Sequence, residues 1–109
     1  MKEILNNLKE FRDQRDWAKF HNPKDLAISI SLEASELLEN FQWKSSEKSV
    51  LKNHQNIKEE LSDVMIYSLL LSDALGIDME EAIKEKIAKN EKKYPVSKAY
   101  GTSKKYDEL

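Results

Sequence analysis

"EELSDVMIYSLLLSDAL", Glu59 to Leu75, sets acids at the head of one of the most apolar runs in the chain. Glu60 and Asp63 stand three residues apart, and Val64 to Leu71 follow with little polar relief. No Gly or Pro interrupts the segment, and helix formers dominate it, so it reads as a helix. At about 100° per residue, Asp63, Tyr67, Leu70 and Ala74 share one face, with Glu60 a turn before Asp63. A charge at the edge of a core is costly unless it is paired or neutralised. Two carboxylates kept there call for a use.

Working outward, the rest of the chain supports an all-α fold. Only two Gly and two Pro occur in 109 residues, and no Asn-Gly or Asp-Gly hairpin signal is present. The pattern predicts a four-helix-bundle-like arrangement with an irregular C-terminal tail. The first helix covers about residues 2–16, with Ile4, Leu8 and Phe11 on one face. Asn22 can cap a second helix, and Pro23 can take its first position, where the missing N–H costs nothing. That helix runs to about Asn40. The polar break "QWKSSEKS" follows, and the third helix begins between Glu47 and Asn56. It ends near Leu75, with Gly76 suited to the C-cap. Asp78 and Glu81 form a D-x-x-E start for a fourth helix, which Pro95 stops. These boundaries suggest a catalytic domain over 1–95 and a tail over 96–109 that docks on the site or on a neighbouring subunit.

Composition excludes several function classes. A length of 109 residues fits one domain. The net charge is only -2 with 35% charged residues, so no electrostatic case exists for nucleic acid or an anionic membrane. The absence of Cys removes disulfides, thiolate metal sites and thiol nucleophiles. The N-terminus is amphipathic and unlike a signal peptide, and the longest apolar run falls far short of the ~20 residues a membrane helix needs. A cytoplasmic location is the expectation.

A second acidic pair lies on helix two. Leu26, Ile30, Glu33 and Leu37 share one face, so Glu33 interrupts an apolar stripe, and Glu36 flanks it one turn on. If helices two and three pack antiparallel, Glu33, Glu36, Glu60 and Asp63 converge. Clustered acids raise one another's pKa or take cations between them. Oxygen-only ligands favour Mg2+, with Mn2+ as a possible substitute, over iron or zinc, because neither His21 nor His54 falls in a Glu-x-x-His spacing. The competing reading is a non-catalytic, oligomeric helical module whose acids are salt-bridge partners.

"EASELLENFQW" together with "EELSDVMIY" resembles the signature of the MazG-like all-α nucleoside triphosphate pyrophosphohydrolases, a Glu-x-x-Glu helix followed by a Glu-x-x-Asp helix. "RDWAKFHNPKDL", "LLENFQWK", "KNEKKYP" and "GTSKKYDEL" are similar to segments of one branch, the dCTP pyrophosphatase-like proteins, in the same order. The resemblance implies hydrolysis of a nucleoside triphosphate to a monophosphate and pyrophosphate with Mg2+, in deoxynucleotide-pool housekeeping. It implies Glu33, Glu36, Glu60 and Asp63 as catalytic metal ligands. It also implies substrate contacts from Trp17, His21, Trp43, Tyr67, Lys86, Lys89, Asn90, Lys104 and Lys105, and assembly into homodimers or homotetramers. One position departs from the vertebrate members: Leu8 stands where they carry a base-pocket His. Leu8 cannot hydrogen-bond a cytosine edge, so relaxed base use or a dUTPase-like preference is compatible with the chain.

Overall fold

The computed structural model describes residues 1–109. Its elements are α1 (Lys2–Gln14), a 3-10 turn (Ala18–Phe20), α2 (Pro23–Glu39), α3 (Ser46–Ala74), α4 (Met79–Lys93), α5 (Val96–Ala99) and a second 3-10 turn (Tyr106–Glu108). The chain is helical throughout its ordered elements, as its composition requires. It divides into two compact units, Met1–Ile77 and Asp78–Leu109.

Local chemistry sets most helix ends. Asn22 Oδ1 accepts the Asp25 N–H at 2.9 Å, Asn22 Nδ2 donates to Asp25 Oδ2, and Pro23 fills the first position of α2. Ser45 caps α3 by accepting the Lys48 N–H. At the other end of α3, Gly76 has a φ of 66°, a left-handed conformation that a side chain would disfavour. The Gly76 N–H donates to the Asp73 carbonyl and the Ile77 N–H to the Ser72 carbonyl, which is the Schellman closure. Asp78 caps α4 through the Glu81 N–H. Glu81's own side chain makes no return bond, so only half of a capping box forms.

In the first unit, α2 and α3 form an antiparallel hairpin, and α1 packs on α3. Two sets of contacts fix the direction. Asn40, at the end of α2, meets Asn53 and Asn56 early in α3, while Glu33 and Glu36 meet Glu60 further along. That register brings Leu26 level with Leu69 and Leu70, and these three are the buried apolar residues.

α3 is not one uninterrupted helix. Asn53 has φ -112° and ψ 18°, a break inside the helix. The sequence gives no warning of it, since neither Gly nor Pro is near. The cause is tertiary. The Asn53 amide donates to the Asn40 carbonyl at 2.9 Å, and the Asn56 amide donates to Asn40 Oδ1 at 2.7 Å. Asn40 is buried, and its own amide donates to the Glu36 and Leu37 carbonyls, so one residue closes the end of α2 with its side chain and anchors the bend in α3 through its backbone carbonyl. Asn40→Ala removes the side-chain bonds and leaves Asn56 without its acceptor, while the Asn40 carbonyl still accepts from Asn53. The expected cost is about 1–3 kcal/mol of unfolding free energy, measured by urea titration.

In the second unit, α4 leads into a tail that is irregular over 100–105 but bracketed by short helical turns. The rings of Tyr94 and Tyr106 meet edge to face at 6.2 Å, and the Lys93 ammonium lies 4.9 Å from the centre of the Tyr106 ring. These contacts give the tail a fixed return to the end of α4.

Candidate active site

The antiparallel register places two turns of α2 opposite one turn of α3. Glu33 and Glu36 come from the first and Glu60 from the second, each offering a carboxylate oxygen within 4.8 Å of the others. Glu33 and Glu60 are half-buried and Glu36 is exposed. Glu33 Oε2 and Glu60 Oε2 are both shielded from solvent and have no hydrogen-bond partner. Buried carboxylate oxygens without partners are costly. No Lys or Arg forms a salt bridge with any of the three acids. A purely structural role would supply one, so this arrangement disfavours the salt-bridge reading.

The electrostatics carry the same message. Burial, followed by the neighbouring Glu36, Asp63 and Glu60, pushes the Glu33 carboxyl up to about 7. Burial and then Glu36 also raise Glu60. Without a cation the cluster holds a proton near neutral pH to relieve the repulsion. The sign of the pH effect on stability follows. The folded pKa of Glu33 lies above its unfolded value, so the folded state binds more protons between about 4.5 and 7. Cation-free protein is therefore expected to lose stability as pH rises through that window. Glu33→Gln weakens the dependence and raises the melting temperature at pH 7.5 by about 4 °C, if relief of the repulsion is worth about 1 kcal/mol. Melting curves in chelator from pH 4.5 to 8 measure both.

An all-oxygen donor set suits a hard divalent cation. Together with the two unpartnered buried oxygens, it fits a metal ion: these carboxylates can hold one.

Asp63, one turn past Glu60, stands outside the group of three. It lies instead in the wall of an adjoining cavity of about 260 Å³. Leu8, Phe11 and Arg12 of α1, Trp17 and His21 of the following turn, and Ile66, Tyr67 and Leu70 of α3 complete that wall. The cavity is aromatic on several sides. Phe11 and Trp17 meet edge to face at 5.7 Å, and Trp17 and His21 at 6.5 Å. Burial and then Arg12 lower the His21 pKa, so its ring is neutral at pH 7, and its Nδ1 is buried with no partner. Burial, then Glu33, Asp63 and Glu36, raise the Tyr67 pKa and keep the phenol protonated. Tyr67 thus belongs electrically to the acid cluster and spatially to the cavity.

The structure gathers the expected residues unevenly. Glu33, Glu36 and Glu60 form the cluster, and Asp63, Trp17, His21 and Tyr67 join in the cavity beside it. Trp43 takes no part in that wall. It is 92% exposed, in the connection from α2 to α3, with a φ of 65°. Lys86, Lys89 and Asn90 on α4, and Lys104 and Lys105 in the tail, are exposed residues of the second unit. Arg12 is a cavity residue that the sequence reading passed over. Its signal was present: it is four residues from Leu8 on α1, and Asp73 offers a counter-charge in an otherwise apolar stretch of α3.

The family model that matches the chain is that of the MazG-like family, over residues 28–109. Among curated proteins, dCTP pyrophosphatase 1 of Mus musculus is 37% identical over 105 residues, a match covering 92% of this chain. The Homo sapiens protein of the same name is 36% identical over the same length. The chain spans 62% of the length of these relatives. Among solved structures, a pyrophosphatase from Archaeoglobus fulgidus superposes with a TM-score of 0.83 at 49% identity, covering 87% of this chain and 92% of that one. With its acidic pairs on two antiparallel helices and these matches across most of its length, the chain belongs to the MazG-like family.

Proposed function

We propose that this chain is a Mg2+-dependent nucleoside triphosphate pyrophosphohydrolase, cleaving a deoxynucleoside triphosphate to its monophosphate and pyrophosphate. The observation that carries the reading is the set of three carboxylates within 4.8 Å, two of them with buried oxygens that lack any partner. The names of the similar proteins, dCTP pyrophosphatase 1 and a pyrophosphatase, support the same class of reaction.

Glu33, Glu36 and Glu60 would hold the ion, with Asp63 as the fourth acid between cluster and cavity. When bound, a divalent cation supplies positive charge to a polyphosphate, which is most of what phosphoryl transfer asks of a protein. The chain's own residues do the rest. The rigid α2–α3 hairpin fixes the acids, so no reorganisation is needed during reaction. An oxygen of one of these carboxylates left free of the ion would accept the proton of the attacking water. Phe11, Trp17 and Tyr67 offer faces on which a flat base can stack.

Assembly with further copies of the chain is part of the reading. Ile28 and Leu32 on α2, and Leu61 and Met65 on α3, lie one turn apart in each pair and are 46–61% exposed. Such apolar stripes on both helices of the hairpin suit a homo-oligomeric interface. The test of the activity is incubation with each dNTP and Mg2+, with products resolved chromatographically. Monophosphate plus pyrophosphate is expected. Release of single phosphate, or no turnover of any nucleotide, refutes the reading.

A further inference from the structure

We propose that Arg12 is a specificity-determining residue that reads a carbonyl oxygen on the nucleobase, so that bases carrying one are preferred over adenine. The inference rests on the pyrophosphohydrolase reading above and deepens it.

The cavity beside the acids holds about 260 Å³, below the roughly 300–1,000 Å³ of sites that bury a whole drug-sized ligand. It suits one flat ring rather than an entire nucleotide. Asp63 is shared between this wall and the field acting on Glu33 and Glu60, so a triphosphate at the acids directs its base here. Apolar and aromatic walls hold a ring but distinguish poorly among rings. Discrimination must come from the few polar groups present.

Arg12 is the most firmly held of them. Its Nε donates to Asp13 Oδ1 at 2.8 Å and its Nη1 to Asp73 Oδ2 at 3.0 Å, and its side chain is only 15% exposed. Two anchors at different nitrogens fix the plane of the guanidinium. Nη2 makes no hydrogen bond within the chain and remains free to donate. The charge is already spent. Asp13 and Asp73 offset Arg12, and Lys9, 3.7 Å from Asp73, brings the group to two cations and two anions. A neutralised guanidinium is a weak magnet for phosphate but still a donor, and it has no acceptor to offer. Its natural ligand is a neutral acceptor. Cytosine, thymine, uracil and guanine each project a carbonyl oxygen beyond the ring edge; adenine's acceptors are ring nitrogens set within the edge, and the group it projects is an amino donor, which a second donor does not bind. Leu8, on the same wall, can supply no hydrogen bond of its own.

The test measures kcat and KM for dCTP, dTTP, dUTP, dGTP and dATP with Mg2+, in wild type, Arg12→Met and Arg12→Lys. Wild type is expected to favour the four carbonyl-bearing substrates. Arg12→Met should lower kcat/KM for those four by about 10- to 100-fold, the range for one hydrogen bond from a charged donor, mainly through KM. Its dATP value should fall least of the five. Arg12→Lys keeps the positive charge beside Asp73 but lacks the rigid fork, so the selectivity should fall with a smaller loss of melting temperature than in Arg12→Met. Equal losses for all five substrates would overturn the proposal, since they would mark a structural or phosphate-binding role. Unchanged selectivity in both variants would overturn it too. A wild-type protein active on dNTPs but indifferent to Arg12 refutes this inference alone. A wild-type protein that turns over none of them refutes the pyrophosphohydrolase reading and the inference with it.

Discussion

Glu60→Ala is expected to lower kcat by about 10³-fold or more, because loss of a ligand forfeits several kcal/mol of charge stabilisation at the phosphoryl group. The fold should survive the change. Glu60 pairs with no Lys or Arg, and one of its oxygens is buried without a partner. Removing it relieves repulsion on Glu33. The cation-free melting temperature should therefore hold or rise while activity disappears. Measuring both on the same preparation separates a lost ligand from a lost fold. A variant that keeps wild-type turnover would remove Glu60 from the site.

Leu26→Ala is expected to have the opposite profile, with a large stability cost of about 3 kcal/mol within the 2–5 kcal/mol range for such truncations. Leu26 is 1% exposed and one of only three buried apolar residues, so little else can collapse into the space it leaves. It also anchors the α2 stripe that carries Glu33 two turns on. Denaturant titration gives the stability change. At temperatures where the variant is folded, turnover should stay close to wild type, because the acids themselves are untouched.

Where sequence and structure agree, the cause is local. Asn22 with Pro23, Gly76, and Asp78 with Glu81 mark helix ends through bonds made within a few residues, so their chemistry is readable from order alone. The acidic pairs were legible for a similar reason. Helical periodicity puts Glu33 on the face of Leu26 and Leu37, and Asp63 on the face of Tyr67 and Leu70, before any fold is known.

Where the reading stopped short, the cause is contact between distant residues. The start of α3 falls at Ser46, just outside the expected 47–56 window, because Ser45 rather than a later residue caps it. The bend at Asn53 is not expected from the sequence at all, since it is imposed by Asn40 thirteen residues earlier. Helical faces say which acids converge but not how far their oxygens reach, so Asp63 shares a stripe with the cluster yet lies in the cavity wall. Arg12 lies a turn from Leu8 on α1, but its pairing with Asp73, sixty-one residues on, depends on how α1 packs on α3.

On the proposed function, Glu33, Glu36 and Glu60 form one cation site serving a bound triphosphate. Crystals grown with Mn2+ and a non-hydrolysable dNTP test it most directly, through the anomalous signal of the metal. A peak bonded to oxygens of all three carboxylates is expected, with the phosphate chain alongside and the base in the cavity of Trp17 and Tyr67. A bound nucleotide with no metal at these acids, or metal held elsewhere on the chain, would contradict it.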